Sequence, residues 1–107
     1  MSAVAGEVLR VWRGAAAPQD VPRYAEHFRS RVEPALRRLA GFQGAEVLTR
    51  PGGALVEIVV HTRWVSLDAV AAFVGPNLDA AVVDPEALGV LAEHDTFVRH
   101  FTVAHVT

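Results

Sequence analysis

The residues best suited to chemistry stand at alternate positions of three apolar segments. Arg10 and Trp12 are two residues apart near the start of the chain, and Thr62 and Trp64 repeat that spacing in a longer apolar run. His100 lies in the last apolar run of the chain. Side chains two residues apart on an extended strand point to the same face. Each of the first two segments therefore predicts a polar group and an indole side by side on one face of a sheet.

His100 and Arg10 are the candidates for catalytic roles. An imidazole titrates near neutral pH, so His100 could act as a general base. The guanidinium of Arg10 presents a fixed fork of donors that could stabilise a developing oxyanion. Structural roles compete with both, because a strand histidine is more often a hydrogen-bonded structural residue and Arg10 could pair with Glu57 or Glu46. The two tryptophans fit a plain core as well as a pocket wall.

The composition indicates one globular domain, residues 1–107, and excludes several classes of protein. The 107 residues suit a single domain, and 51% of them are hydrophobic, which is enough for a packed core. The net charge is −2 and the basic residues are scattered, so we expect no nucleic-acid partner. The absence of cysteine excludes disulfides and cysteine-ligated metals. With no signal-peptide pattern and no apolar stretch of about 20 residues, we expect a cytoplasmic protein with no membrane partner.

The first half of the chain contains the patterns of three strands. Residues 7–13 are rich in β-branched and aromatic types and end at a glycine, which predicts the first strand. Two further strands are predicted over residues 42–50 and 54–64. The Pro-Gly-Gly sequence between them, at residues 51–53, is typical of a hairpin turn.

An amphipathic helix is predicted between the first two strands. Asp20 is a residue type favoured at N-caps, and apolar residues recur every three or four positions from there towards Gly41, which ends the helix. Charged residues occupy the opposite side, and we expect His27 on that solvated side. Pro34 should kink the helix or restart it after Val32, because proline lacks the backbone donor.

The second half of the chain predicts shorter helices and a last strand. Ser66 caps a helix that stops at Gly75. Residues 77–83 are expected to form a short helical piece, and Asp84 to cap another short helix that a proline begins. The last strand is predicted over residues 96–106.

The order β-α-β-β-α-β predicts an α+β, ferredoxin-like fold with one four-stranded antiparallel sheet and helices on one face. The third strand is apolar on both sides, because Val56, Ile58 and Val60 alternate with Leu55 and Val59. Leaving the uncovered face in water would forgo several kcal/mol at about 25 cal/mol per Å². We therefore expect a homodimer in which the two sheets pack face to face, a dimeric α/β barrel.

These elements and several local motifs resemble the antibiotic biosynthesis monooxygenase family of dimeric α/β-barrel proteins. The resemblance rests on the runs VWRG at 11–14, LAGFQGAEVLTR at 39–50, VEIVVHTRWVSLDAVAAFVG at 56–75, VVDPEALGVL at 82–91 and VRHFTV at 98–103. Similar members include cofactor-independent oxygenases that convert polycyclic phenols or anthrones to quinones, haem-degrading monooxygenases, and small proteins without a known activity. The function must therefore be argued from the site.

The resemblance implies a pocket between the sheet and its helices, with Trp64 at the end of the third strand inside it. With Trp64 facing the helices, strand alternation adds Trp12, Thr62, Arg10 and His100 to the lining. Two indoles would give a polycyclic ring flat apolar walls, while His100 takes a phenolic proton and Arg10 stabilises the oxyanion. Aromatic side chains of the two helices would close the pocket: Tyr24, Phe28 and Phe73.

We therefore expect a cofactor-independent monooxygenase that oxidises a polycyclic or phenolic aromatic substrate, without a cofactor or metal. The haem-degrading branch needs an asparagine on the first strand and a histidine on the second helix, whereas this chain has Trp12 and no histidine between Ser66 and Glu93. The quinone-forming members often place an asparagine on the third strand and a tyrosine nearby, and neither is present there. A non-catalytic small-ligand binding or accessory protein is the alternative, and haem degradation is a third possibility.

Overall fold

One antiparallel sheet organises residues 4–107, which are the residues that this computed structural model describes. The central strand β1 pairs with β3, which pairs with β2, and the free edge of β1 is taken by β4 and β5 in succession. The four strand positions and their order confirm the predicted ferredoxin-like α+β fold. The strands are β1 (Val8–Ala16), β2 (Phe42–Gly52), β3 (Leu55–Trp64), β4 (Glu93–His94) and β5 (Arg99–Thr102).

The helices pack on one face of the sheet, because their buried residues join the same hydrophobic core as that face. In the part of the chain that is described, no helix is long and apolar enough to cross a membrane. A 3₁₀ turn at Pro18–Asp20 precedes the helical elements, which are α1 (Val21–His27), a π-helical turn (Phe28–Val32), α2 (Glu33–Leu36), α3 (Leu67–Val74) and α4 (Pro85–Leu88).

The strand register confirms which side chains share a face. Arg10 lies opposite Thr62 on one side and opposite His100 on the other, so three strands place these residues in one row. Trp12 pairs with Val60 in the next row on this face. We call this side, which the helices cover, the inner face of the sheet. It carries Val8, Arg10, Trp12, Ile58, Val60, Thr62 and Trp64, all of which are buried.

The first strand does not end at Gly14 as predicted, but continues to Ala16. Gly14 pairs with both Ile58 and His94, so it lies within the sheet. A Cβ at this position would lie 2.5 Å from the Trp12 ring and 3.2 Å from a β4 carbonyl. The glycine is therefore needed for the close approach of the indole and the edge strand rather than for a turn.

The first helical segment is divided where the sequence places its proline. α2 begins at Glu33, with Pro34 in its first turn, which confirms the predicted restart after Val32. A π-helical turn bridges the two α-helical pieces. Asp20 occupies the N-cap position of α1, but its carboxylate accepts a hydrogen bond from Arg23 instead of capping the backbone.

The prediction of a short helix over residues 77–83 is wrong. We call this stretch, which has no helix or strand, the wall segment. The preceding Gly75 adopts φ +81°, which an α-helix cannot continue through. One backbone hydrogen bond stays inside the wall segment, from Ala80 N–H to the Asn77 carbonyl, and two leave it: Ala81 N–H donates to the carbonyl of Thr96, and Val98 N–H donates to that of Asp79. These tertiary hydrogen bonds replace the helical ones.

The last strand is shorter than predicted, because β5 covers only part of residues 96–106, and the short strand β4 precedes the predicted range. Residues 95–98 lie between β4 and β5 and have no strand assignment, and their backbone groups bond to other parts of the chain. Asp95 N–H still donates to the carbonyl of Arg13, but its own carbonyl accepts from the Trp12 indole at 3.0 Å. Residues 103–106, predicted as strand, have no strand assignment. Pairing with an indole and with the wall segment therefore competes with a continuous edge strand.

The two later helix caps are as predicted. The Ser66 side chain accepts from the backbone N–H of Ala69 at 3.1 Å, and Asp84 Oδ1 accepts from that of Glu86 at 2.9 Å. The second cap fixes the Asp84 carboxylate beside the helical layer, where the candidate site lies.

Candidate active site

A cavity of about 80 Å³ lies between the inner face of the sheet and the helices. Strands β1 and β3 form its floor, α1 and the π-helical turn form one side, and the wall segment forms another. The predicted site residues that line it are Arg10, Trp12, Tyr24, Phe28, Thr62 and Phe73. The lining is mostly aromatic and aliphatic, with a few polar groups, as in small-molecule sites.

Trp12 and Tyr24 form one fixed aromatic wall. Their rings are stacked, with centroids 6.0 Å apart and planes inclined by 16°. The hydrogen bond from the Trp12 indole to the Asp95 carbonyl fixes its orientation. Burial raises the pKa of Tyr24 to about 12, so its hydroxyl remains a neutral donor at physiological pH.

Arg10 is a buried cation held by neutral groups. Its NH1 group donates to the carbonyl of Leu78 at 2.8 Å and lies 3.0 Å from Nε2 of His100, while NH2 donates to the carbonyl of Ala80 at 2.6 Å. The guanidinium carbon also lies 5.8 Å from the centroid of the Phe73 ring. Burial lowers the pKa of Arg10, and the charge of Asp79 opposes that shift.

The suggested pairing of Arg10 with Glu57 or Glu46 is wrong. Glu57 binds Arg13 and Arg50, at 2.5 Å each, and Glu46 binds Arg63. Among residues 4–107, no carboxylate oxygen lies within 4.0 Å of the Arg10 guanidinium. A buried guanidinium without an ion-pair partner is costly, and an anionic group in the cavity would compensate it.

His100 lies beside Arg10 and is not part of the cavity lining. Because a guanidinium can only donate, Nε2 of His100 must accept, which assigns the ring proton to Nδ1. Nδ1 lies 3.6 Å from Asp79 Oδ1. Burial and the nearby Arg10 lower the pKa of His100, although Asp79 opposes them. The predicted general base is therefore neutral, and its basic nitrogen is occupied by Arg10.

Trp64 is fully buried behind the cavity rather than in it. Its ring stacks on Phe73, with centroids 5.4 Å apart, and meets Phe42 edge-on at the same distance. Its indole donates to Thr62 Oγ1 at 2.9 Å. Trp64 therefore positions two lining residues, Thr62 and Phe73, without contacting the cavity itself.

His27 is one of two polar lining residues that the sequence interpretation missed, and Asp84 is the other. We expected His27 on the solvated side of the helix, but its side chain is only 10% exposed and it lines the cavity. Its position three residues after Tyr24 puts it on the same side of α1, and this spacing was the available signal. Asp84 lines the cavity beside it, with Oδ2 3.9 Å from His27 Nε2.

The described residues contain no three His, Cys, Asp or Glu side chains grouped to hold a metal ion. The polar groups that line the cavity are a guanidinium, a phenol, an imidazole, a carboxylate and a threonine hydroxyl. Such a set can bind an oxygen-bearing aromatic compound, stabilise negative charge on its oxygen and move a proton.

Comparison with known proteins identifies the family. The model of the antibiotic biosynthesis monooxygenase family matches residues 8–77. No curated protein sequence matches the chain. Among solved structures, the chain is similar to SnoaB, a cofactor-independent oxygenase from Streptomyces nogalater, with 21% identity over 95% of this chain and 97% of that one, and a TM-score of 0.60. That structural likeness supports the shared fold, and the family match covers well over half of the sequence. The chain belongs to the antibiotic biosynthesis monooxygenase family.

Proposed function

We propose that this chain is a cofactor-independent monooxygenase that oxidises an electron-rich polycyclic or phenolic aromatic compound to a quinone. In such a reaction an anthrone and O₂ give a quinone and water. One oxygen atom becomes the new carbonyl, and the other leaves as water with the two hydrogens that the ring carbon loses. The substrate supplies all four electrons that reduce O₂, so the reaction needs no other reductant.

The buried guanidinium of Arg10 is the observation that carries the proposal. It borders an apolar cavity, is 6% exposed and has no carboxylate within 4.0 Å among residues 4–107. Deprotonation of a phenol or an anthrone creates an oxyanion, and electron transfer to O₂ becomes easier from that anion. A positive charge in a water-poor site stabilises the oxyanion far more than it would in water.

The hydrogen-bonding capacity of Arg10 allows this role. A guanidinium has five N–H groups, and three of them serve Leu78, Ala80 and His100. The remaining N–H groups can donate to a ligand oxygen without breaking the contacts that hold the side chain. The stacked rings of Trp12 and Tyr24 offer a flat wall for an aromatic ring.

Binding of a polycyclic substrate requires the cavity to open. Its volume of about 80 Å³ is below the 300–1,000 Å³ that is typical of small-molecule sites. The wall segment is the part of the lining without helix or strand, and its Val82 is 61% exposed. We therefore expect Val82 and Val83 of the wall segment to move outwards when substrate enters, while β1, β3 and the carbonyls that hold Arg10 stay in place.

Oxygen uptake by chelator-treated protein with a panel of anthrones and hydroxylated polycyclic aromatics tests the proposal. We expect quinone formation above the spontaneous rate, and a fall in kcat of about 10²–10³ in Arg10→Lys, which keeps the charge but loses the fork. Arg23→Lys, an exposed change on α1, is the matched control and should retain full activity. No uptake above background across the panel, or full activity in Arg10→Lys, would contradict the proposal.

A ligand-binding protein without turnover is the second candidate. It is favoured by the contact between His100 and Arg10, which occupies the basic nitrogen of the predicted catalytic histidine. The same compounds would then quench tryptophan fluorescence while oxygen uptake stays at the spontaneous rate. Recovery of the unchanged ligand would complete the case for this candidate.

We further propose that a second copy of the chain covers the outer face of the sheet, the side opposite the helices. Val11 and Val59 are only half-buried there, and Leu48 and Phe101 are 44% and 50% exposed. Contiguous apolar area of this kind favours association, and a C2 dimer would pair the same patch on both copies. Light scattering after size exclusion should give twice 11.5 kDa at micromolar concentration. A mass of 11.5 kDa under those conditions would rule the dimer out.

A further inference from the structure

His27 contains a buried polar atom without a partner. Among residues 4–107, its Nε2 is one of two buried side-chain nitrogens that form no hydrogen bond. Buried polar groups are normally satisfied, so such an atom requires an explanation. The residue lines the cavity, and a ligand with a hydroxyl group could provide the missing partner.

Two carboxylates lie close to the His27 ring. Nε2 lies 3.9 Å from Asp84 Oδ2, and Nδ1 lies 3.9 Å from Glu86 Oε2. The N-cap hydrogen bond from the Glu86 backbone fixes the Asp84 carboxylate through its other oxygen. Arg31 lies 3.7 Å from Glu86 and is well exposed, and Arg23 lines the same surface groove as His27. Two carboxylates thus face the ring, one at each nitrogen.

The other titratable groups that line the cavity are poor bases. Arg10 can only donate, and the pKa of Tyr24 is raised to about 12 by burial, so the phenol keeps its proton. A carboxylate is a much weaker base than an imidazole and is too weak to hold a phenolic proton. His100 lies outside the cavity with Nε2 facing Arg10. An imidazole is the remaining group of suitable basicity, and His27 is the imidazole in the lining.

We propose that His27, rather than His100, is the catalytic base that accepts the phenolic proton of the substrate. This inference rests on the proposed function of the cavity. The substrate O–H bond breaks, its electron pair stays on oxygen, and a new N–H bond forms at Nε2. The neutral imidazole keeps its original proton on Nδ1, facing Glu86. The resulting imidazolium lies beside Asp84, a positioning residue, while Arg10 stabilises the oxyanion.

The proton step can be measured without turnover. 2-Hydroxyanthraquinone is already a quinone, and its absorption moves to longer wavelength when its phenol ionises. Bound to the wild type, it should ionise at a pH about one unit lower than when free. In His27→Gln this shift should become smaller, because proton transfer to the imidazole no longer contributes to it. In His105→Gln, an exposed change near the chain end, the shift should stay as large as in the wild type.

A second variant distinguishes loss of the base from a folding defect in His27→Gln. Asp84→Asn keeps an N-cap acceptor for α4 but removes the charge beside Nε2, so it should weaken the ionisation shift while the thermal midpoint stays close to the wild type. Unchanged ionisation in both His27→Gln and Asp84→Asn would overturn the inference. Loss of the shift in His100→Gln with retention in His27→Gln would do so as well.

Oxygen uptake separates this inference from the proposed function. If His27→Gln reduces the shift but the wild type consumes no oxygen, His27 is a base in a binding site and the oxygenase proposal fails. If the wild type forms quinone and His27→Gln retains both kcat and the shift, the oxygenase proposal stands and the role of His27 is wrong. With both proposals correct, kcat in His27→Gln should fall by about 10²–10⁴. Failure of the wild type to bind the hydroxyanthraquinone at all would overturn both.

Discussion

Nε2 of His100 lies 3.0 Å from NH1 of Arg10, and the same guanidinium holds the carbonyls of Leu78 and Ala80. A residue of the central strand thus links the edge strand β5 to the wall segment. The histidine accepts, the two carbonyls accept, and the arginine donates to all three. This arrangement makes Arg10 both the structural support of the wall and the positive charge of the cavity.

The neutral state of His100 should make stability depend on pH. Because burial and Arg10 lower its pKa below 6.5, the unfolded chain binds a proton more readily than the folded one. This contribution to stability is present above pH 6.5 and is lost as the pH falls through the lower folded value. The free energy of unfolding, measured with urea between pH 5 and 8, should rise with pH in the wild type, and His100→Gln should remove this rise. An equal pH dependence in His100→Gln and in the wild type would refute this role of His100. His105→Gln is the control and should behave as the wild type.

Replacement of Arg10 by lysine should loosen the wall segment. Lysine lacks the planar fork, so it cannot hold the carbonyls of Leu78 and Ala80 together with His100. Hydrogen exchange should accelerate at Ala81 and Val98, whose backbone amides bond across this segment, while β3 exchanges as in the wild type. Uniform acceleration across the chain would indicate global destabilisation instead.

The fluorescence of the two tryptophans should respond differently to a bound aromatic ligand. Trp12 lines the cavity, whereas Trp64 is buried behind Thr62 and Phe73. Trp12→Phe should lose most of the fluorescence quenching by an aromatic ligand, while Trp64→Phe keeps it. Trp64→Phe should instead cost about 2 kcal/mol of unfolding free energy, through the lost indole hydrogen bond and the space left. Quenching that disappears only in Trp64→Phe would contradict this placement of the indoles.

Gly14 should not tolerate a methyl group. A Cβ there would lie 2.5 Å from the Trp12 ring, and the indole is held by its bond to Asp95. We expect Gly14→Ala to cost about 1–3 kcal/mol in urea unfolding and to alter the tryptophan emission. Gly89→Ala is the matched control, because its Cβ would meet only an ordinary 3.5 Å contact. That change should stay within about 0.5 kcal/mol of the wild type.

The sequence predicted the strands whose patterns are local. β2 and β3 were placed within two residues of their ends, because alternation and a turn signal between them determine their pairing. The turn itself is later than the predicted residues 51–53: Pro51 and Gly52 pair within the hairpin, and residues 53–54 form the turn. The grouping of Arg10, Thr62 and His100 on one face followed from the same alternation, and the register confirms it. These features need no knowledge of distant parts of the chain.

The parts that were missed depend on long-range contacts. Residues 77–83 have a helical composition, but two of their carbonyls accept from Arg10, and the amide of Ala81 donates to a carbonyl between β4 and β5. The solvated side assigned to His27 is covered by a stretch near Asp84 that is distant in sequence. Likewise Trp64 faces the helices as expected, yet Thr62 and Phe73 lie between it and the cavity. Local patterns determine the face of a strand, but not what covers it.

The π-helical turn affects whether a residue can be deleted from the helical layer. Leu36 lies eight positions after Phe28, and eight steps of a regular α-helix would rotate the second side chain by about 80° beyond two full turns. Both are nevertheless buried in the core, because the wider π-helical turn absorbs part of that rotation. Deletion of one residue between them would leave seven steps, about 20° short of two turns in a regular helix. The helical layer can therefore accept a one-residue deletion here without losing its contacts with the sheet, whereas a deletion within β3 would turn every following side chain to the opposite face.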